Sequence, residues 1–563
     1  MEYNKCIIYQ VFTRLYGNRC QTRKPFGTIE ENGCGKMNDF TPTMLKSIRE
    51  LGATHIWYTG IIRHATITDY SQYGIPRQHP AVVKGRAGSP YAITDYYDVD
   101  PDLAVDVEKR MEEFEKLVKR THRAGLKMII DFVPNHVARQ YLSIAKPAGI
   151  RDLGEDDHPE YGFDLQNNFY YCPDQTFAPY FDLYHGELEP YMECPAKATG
   201  NDCFHNAPGK NDWYETVKLN YGVDYYAGQT PSNLQLPLES FRLFPSTWTK
   251  MLDILLYWAK KGIDGFRCDM AEMVPAQFWA WVTEKVRKQY PDIVFIGEVY
   301  NPAEYRHYIA SGFDYLYDKV GMYDAMSDVL CHRRDTGAIT WAWQQTDDIR
   351  QHMLYFLENH DELRLASDFF VGQADKALPA LVVNALLRQN PFMVYGGQEW
   401  GERGMDAEGF SGRDGRTTIF DYWSLSEQRD AALVAYYQRV LNLARSEKAF
   451  TQGTMFDLMY VNGQYRRQYA FIRKAEKQMM LVVANFDDVA VSMDLMIPGH
   501  AFDCLSLEEG TYSCTDLLTD AASELSLQRD ATIAIHLAPR QSVVLALKGK
   551  MPRAAKKQQS VKG

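Results

Sequence analysis

No stretch of this chain approaches the ~18 consecutive apolar residues that cross a membrane, so no membrane-spanning segment is expected. The N-terminus, MEYNKCIIYQVFTRLYGNRC, lacks a basic start followed by a long apolar run, and no signal peptide is read there. Cysteines are sparse. Ten are scattered at positions 6, 20, 34, 172, 194, 203, 268, 331, 504 and 514, without a CxxC pair or dense framework spacing. They read as free thiols in a reducing compartment, and a cytoplasmic location is the expectation. Positive charge is also in deficit. A net charge of −12 argues against nucleic acid as a partner, because phosphates demand a basic surface. HExxH-type spacing is missing, which argues against catalytic zinc or iron. No repeat of 20–50 residues appears beyond the helix–strand rhythm described next.

What is present is an ordinary globular composition, 45% hydrophobic and 24% charged, in 563 residues. That length exceeds what one hydrophobic core usually serves, so a large domain with a smaller companion is expected. Aromatics reach 13%, with 37 Tyr and 10 Trp. Large cores account for this composition more simply than rings stacked on sugars. In VEKRMEEFEKLVKRTHRA (107–124), Val107, Met111, Phe114, Leu117, Val118 and Thr121 share one helical face. Gly125 ends that helix and LKMIID starts a buried strand. The unit recurs at 246–269, with Ser246 as N-cap, at 276–298 and at 375–397. Repeated helix–strand units imply a parallel sheet, and runs such as IVFIG imply strands covered on both faces. The fold class is α/β. A closed (β/α)8 barrel is favoured over an open doubly wound sheet, because reactive residues end many different strands. The barrel is assigned to 1–136 and 225–450. Residues 137–224, rich in Tyr, Asp, Asn, Pro and Gly, are too many for a loop and read as an inserted domain. Residues 451–548 read as a small antiparallel β-sandwich. The basic tail, 549–563, reads as disordered.

Four stretches carry the chemistry: Asp131-Phe132-Val133-Pro134-Asn135-His136, Gly265-Phe266-Arg267-Cys268-Asp269, Gly297-Glu298-Val299-Tyr300 and Asn359-His360-Asp361-Glu362. Each follows or ends a short apolar run. Carboxylates gathered at strand ends point to glycosidic bond cleavage or transfer, which needs two opposed carboxyl groups. Arg267 and Asp269 are two apart in a strand and project to the same face. Arg267 is expected to keep Asp269 ionised, as suits a nucleophile, although the two also read as a structural ion pair. Glu298 follows an apolar run, and burial is expected to raise its pKa toward that of a general acid; a helix-capping Glu is the rival. Asp361 either grips sugar hydroxyls or joins Asp131, His136 and His360 around a metal. His136 is placed to donate to a sugar hydroxyl. The amide oxygen of Asn135 suits a hard cation such as calcium.

At these residues the chain resembles the α-amylase family of glycoside hydrolases, family 13. Its four characteristic regions match the four stretches in order. Ser89-Pro90-Tyr91-Ala92-Ile93-Thr94-Asp95-Tyr96-Tyr97 resembles the family's segment before the third strand, and Val217-Lys218-Leu219-Asn220 its fifth region in neopullulanase-like and oligosaccharide-acting members. The resemblance spans roughly 5–545. It implies the barrel, a B domain inserted after strand three and a C-terminal β-sandwich. It also implies Asp269 as nucleophile, Glu298 as acid/base and Asp361 as transition-state stabiliser. Arg267, His136 and His360 would contact the sugar in subsite −1, and Tyr91 would stack on it. The implied mechanism is retaining, with the two working carboxyls ~5–5.5 Å apart. No cofactor is needed for that chemistry; the resemblance allows structural calcium without requiring it, and Asn135 is the one residue it places among the ligands. The substrate expected is an α-glucan or malto-oligosaccharide, cleaved by hydrolysis; transfer to a second sugar at the same site is the alternative. Two departures bear on specificity. Glu272-Met273 stands where many starch-degrading members have Lys-His, which argues against ordinary endo-amylase action. Near Gly88 there is no acid of the kind that clasps a chain end in exo-acting α-glucosidases.

Overall fold

The computed structural model describes residues 5–234, 244–409 and 414–550; most of the expected tail lies outside the described residues. Eight parallel strands close a barrel. In chain order they are β1 (Ile7–Phe12), β2 (His55–Thr59), β3 (Lys127–Phe132), β4 (Gly265–Cys268), β5 (Val294–Gly297), β6 (Tyr315–Tyr317), β7 (Met353–Phe356) and β8 (Phe392–Tyr395). β1 pairs with β8 to close the ring. Period-two alternation divides each strand between two cores. Ile8, Trp57, Ile129, Ile296, Tyr317, Leu354, Phe356 and Met393 fill the barrel. Their neighbours, such as Val11, Ile56, Ile130 and Phe266, pack outward in the core shared with the helices.

Helices follow the strands as the periodicity predicts. Arg110–Arg123 buries Phe114, Leu117, Val118 and Thr121. Gly125 then turns the chain at φ 76° into β3. Ser246 is not the N-cap expected of it: the helix is Ser246–Lys260 with Pro245 at the cap and no capping side chain. Pro245 presets the backbone there, so the start needs no hydroxyl.

After β3 the chain leaves the barrel. His136–Ala138 pairs antiparallel with Thr216–Lys218, and the stretch between returns to the barrel mouth through that two-stranded base. From Thr454 onward the structure is antiparallel: a six-stranded sheet and a two-stranded one, Val491–Ile497 with Ala531–Leu537. This is the C-terminal sandwich.

Candidate active site

The chemistry-bearing residues stand at the C-terminal ends of the barrel strands, the face on which βα loops build sites. Asp131 on β3 and Arg267 on β4 are register partners. Asp269 directly follows β4, and Glu298 directly follows β5. Arg267 is fully buried and lies at the centre. Its Nη1 donates to Asp269 Oδ1 at 2.6 Å and stands 3.6 Å from Asp131 Oδ1. Its Nη2 is 2.7 Å from Glu298 Oε2, and Nε donates to Tyr317 Oη at 3.1 Å. Trp57, Tyr91 and Tyr317 present ring faces to the guanidinium at 5.2–5.5 Å.

Arg267 therefore does not single out Asp269, as the spacing suggested. It is shared, and both carboxylates are buried, Asp269 at 6% exposure and Glu298 at 3%. Burial pushes the Asp269 carboxyl well above the usual carboxylate range; Arg267 opposes this, while Glu298 and Asp361 repel its charge. Burial likewise pushes Asp131 up to about 7, against the pull of Arg267 and of Trp57 Nε1, which donates to its Oδ2 at 3.0 Å. Several acids around one cation titrate as a set rather than singly.

The two histidines are neutral imidazoles at neutral pH. Burial lowers His360 far below its ordinary value, with Arg267 adding to it. Gln10 Nε2 stands 2.8 Å from its Nδ1, while Nε2 meets Tyr91 Oη and lies 3.0 Å from Asp361 Oδ2. With the Gln10 amide as donor, the proton is on Nε2 and is directed at Tyr91 and Asp361. His136 falls to about 3 through burial and the ammonium groups of Lys218 and Lys84. The insert packs tightly on it, for a Cβ at Gly200 would lie 2.8 Å from His136 Cβ. Gly88 is similarly forced, at φ 79° and where a Cβ would collide with Ala65 O, ahead of Ser89, Pro90 and Tyr91.

Asn135, the candidate calcium ligand, is engaged by the chain itself. Its Oδ1 accepts from Lys218 Nζ at 2.7 Å, and that ammonium is 2.6 Å from Asp202 Oδ1. Asn135 Nδ2 donates to Gly200 O at 2.8 Å. A cation is thus already present between the amide and the carboxylate, and it belongs to the chain. The donor set at Asn135 does not fit calcium. The ammonium comes from Lys218 of the Val217–Asn220 motif, whose basic residue had been given no role.

Tyr91, His136, Asp269, Glu298 and Asp361 all line one cavity of about 470 Å³. Apart from Trp213, which with Tyr214 and Tyr221 marks the insert as aromatic and suited to a sugar acceptor, its other walls were not expected from the sequence. Lys84 and Glu215 form a buried ion pair at 3.1 Å. Trp213 stands 5.2 Å from the His136 ring. Arg416, from the loop after β8, is 3.9 Å from Asp361 Oδ1. Tyr300 donates its hydroxyl to Glu298 Oε1. Only Tyr300 carried a local signal: it stands two residues beyond Glu298, a spacing that can return a side chain to the same face. The rest come from the insert and long loops, where no periodicity points a side chain. The model of the α-amylase catalytic domain matches residues 24–467. The chain belongs to the α-amylase family of glycoside hydrolases. Among relatives, it is 23% identical over 530 residues to neopullulanase 2 of Thermoactinomyces vulgaris, covering 90% of this chain and 74% of that one. It is 23% identical over 434 residues to α-amylase 3 of Dictyoglomus thermophilum, covering 71% and 74%. The structure of a maltogenic α-amylase, AmyB of Thermotoga neapolitana, aligns with TM-score 0.64 at 19% identity, over 97% of this chain and all of that one; at that identity the likeness speaks to fold. Membership in the α-amylase family accounts for the barrel and sandwich. No described helix is long and apolar enough to cross a membrane.

Proposed function

We propose that the protein is a retaining α-glycoside hydrolase acting on α-glucans or malto-oligosaccharides, with Asp269 as nucleophile and Glu298 as acid/base. The observation that carries this reading is the pair of buried carboxylates held by two nitrogens of one guanidinium in a 470 Å³ cavity. Asp269 attacks the anomeric carbon as the glycosidic C–O bond breaks, and the Glu298 proton passes to the leaving oxygen. Water then attacks the glycosyl ester, gives its proton to Glu298, and Asp269 departs as carboxylate. Asp361 and Tyr91 face the cavity where the distorted sugar ring is held, and the Nε2–H of His360 meets both of them from behind. Arg267 stays charged throughout and offsets the negative charge that shifts between Asp269 and Glu298.

Neopullulanase 2 and the maltogenic amylase are named for α-glucan substrates, and this supports that substrate class here. The test is proton NMR of maltotriose and longer oligosaccharides during turnover. The α-anomer should appear first. A β-anomer would rule out the retaining assignment, and products longer than the substrate would show transfer rather than hydrolysis alone.

A further inference from the structure

Glu272 and Tyr300 are left over from the reaction just described, and they hold each other's loops. Glu272 lies in the turn after β4 (Ala271–Met273), and its Oε2 accepts the backbone N–H of Tyr300 at 2.9 Å and of Asn301 at 3.0 Å. In return, Glu298 Oε2, after β5, accepts the backbone N–H of Met270 at 2.8 Å. Met270 is held at φ 44°, a left-handed conformation rare for a side chain of its kind, and this delivers its N–H to Glu298. Tyr308 Oη pins the same turn by donating to Glu272 O and Val274 O at 2.9 and 3.0 Å. Two acids thus clasp two loops in opposite directions, and Tyr300 Oη closes the clasp on Glu298 Oε1.

This arrangement conflicts with the first chemical step. The charge of Arg267, paired with Oε2, and the hydrogen bonds donated by the Met270 N–H and the Tyr300 O–H all favour the carboxylate form of Glu298. A general acid must carry a proton. A guanidinium and a backbone N–H have no acceptor, but a phenol donates or accepts. Among the described partners of Glu298, only Tyr300 can reverse its hydrogen bond when a proton occupies Oε1. Burial and the neighbouring carboxylate raise the Tyr300 hydroxyl well above its ordinary value, so it keeps its proton as it turns.

We propose that Tyr300 is a positioning residue that follows Glu298 between acid and base by reversing one hydrogen bond, and that Glu272 holds Tyr300 in register. This rests on Glu298 being the acid/base. It also gives Glu272 a task at the position where relatives with Lys-His were expected to bind the acceptor sugar: here the side chain turns inward and clamps the neighbouring loop.

The experiment compares maltotriose, whose leaving group needs a proton, with α-maltosyl fluoride, whose leaving group does not. Tyr300→Phe removes a donor that favours the carboxylate more than the acid. The alkaline limb of kcat/KM on maltotriose should move up by about one pH unit. The neutral-pH kcat/KM on maltotriose should fall on the order of 10–100-fold, and kcat/KM on the fluoride, which reports only the first step, far less. Glu272→Ala should reproduce both effects, and Glu272→Gln, which keeps an acceptor oxygen, should restore them. An unmoved alkaline limb in both Tyr300→Phe and Glu272→Ala, or equal losses on the two substrates, overturns the proposal. Glu298→Gln separates the two readings. If it cleaves maltotriose normally, the acid/base assignment itself falls. If it is inactive on maltotriose yet active on the fluoride while Tyr300→Phe keeps a normal limb, only the clasp falls.

Discussion

Asp269 and Glu298 share a guanidinium, and they differ in everything else that holds them. Among the described residues, the Asp269 carboxylate receives one side-chain bond, from Arg267, and otherwise meets the like charges of Glu298 and Asp361. Glu298 is held on both oxygens, by Arg267 and the Met270 N–H on one and by Tyr300 on the other. A nucleophile needs a lone pair left free to reach carbon, and few donors leave it one. A group that must gain and lose a proton needs partners that fix its position in both states. The same cation therefore serves two chemistries because the remaining hydrogen bonds differ, and charge pairing alone would not have told them apart.

The strongest test of this contrast removes the free lone pair. Asp269→Asn should lower kcat on maltotriose by on the order of 10⁴–10⁶-fold, with the fluoride substrate equally affected, because no ester forms on either. Near-normal turnover would dissolve the contrast and the assignment with it. The second test removes the shared cation. Arg267→Met leaves buried carboxylates without their partner and should cost about 3–5 kcal/mol of stability at pH 8. The sign with pH follows from the directions of the shifts. Asp131 and Asp269 are raised on folding, so they contribute stability at low pH and lose it as pH rises through their folded values, about 7 for Asp131. Without Arg267 those values rise further. Urea melts should therefore show the deficit shrinking from pH 8 toward pH 5; a deficit independent of pH would mean the guanidinium matters by packing and not by charge.

Much of this was legible before any coordinates. The helical face of Phe114, Leu117 and Val118 and the i, i+2 relation of Arg267 and Asp269 are local, and local spacing survives folding. The family resemblance, through the four stretches and the 89–97 segment, then assigned Tyr91, His136, His360 and Asp361 to one site. Two kinds of information were missing. Sharing of one group by several partners is a three-dimensional fact: nothing in the sequence says that Glu298, 31 residues beyond Arg267, reaches the same guanidinium as Asp269. Long loops are the other case. Lys84, Trp213 and Arg416 come to the cavity on segments without period two or 3.6, so no pattern announces the direction of their side chains.

Lys218 sets the last test, because it is a buried cation used in the opposite way to Arg267. Arg267 holds several acids that change state, whereas Lys218 joins one amide, Asn135, to one carboxylate, Asp202, at the base of the inserted stretch. Its job is to tie the insert to the segment after β3 that carries Asn135 and His136. Asp202 is 37% exposed, so water screens part of the pair, and the cost of Lys218→Met should be smaller, about 1–3 kcal/mol. A chelator should leave the melting temperature of the unaltered protein unchanged, because the positive charge at Asn135 comes from the chain itself. A chelator-induced fall in melting temperature that calcium reverses would show that an ion contributes to stability. If the Lys218→Met variant alone then melted higher in calcium, the vacated oxygens of Asn135 and Asp202 would be holding it, and the ammonium would be confirmed as the built-in occupant of a cation position.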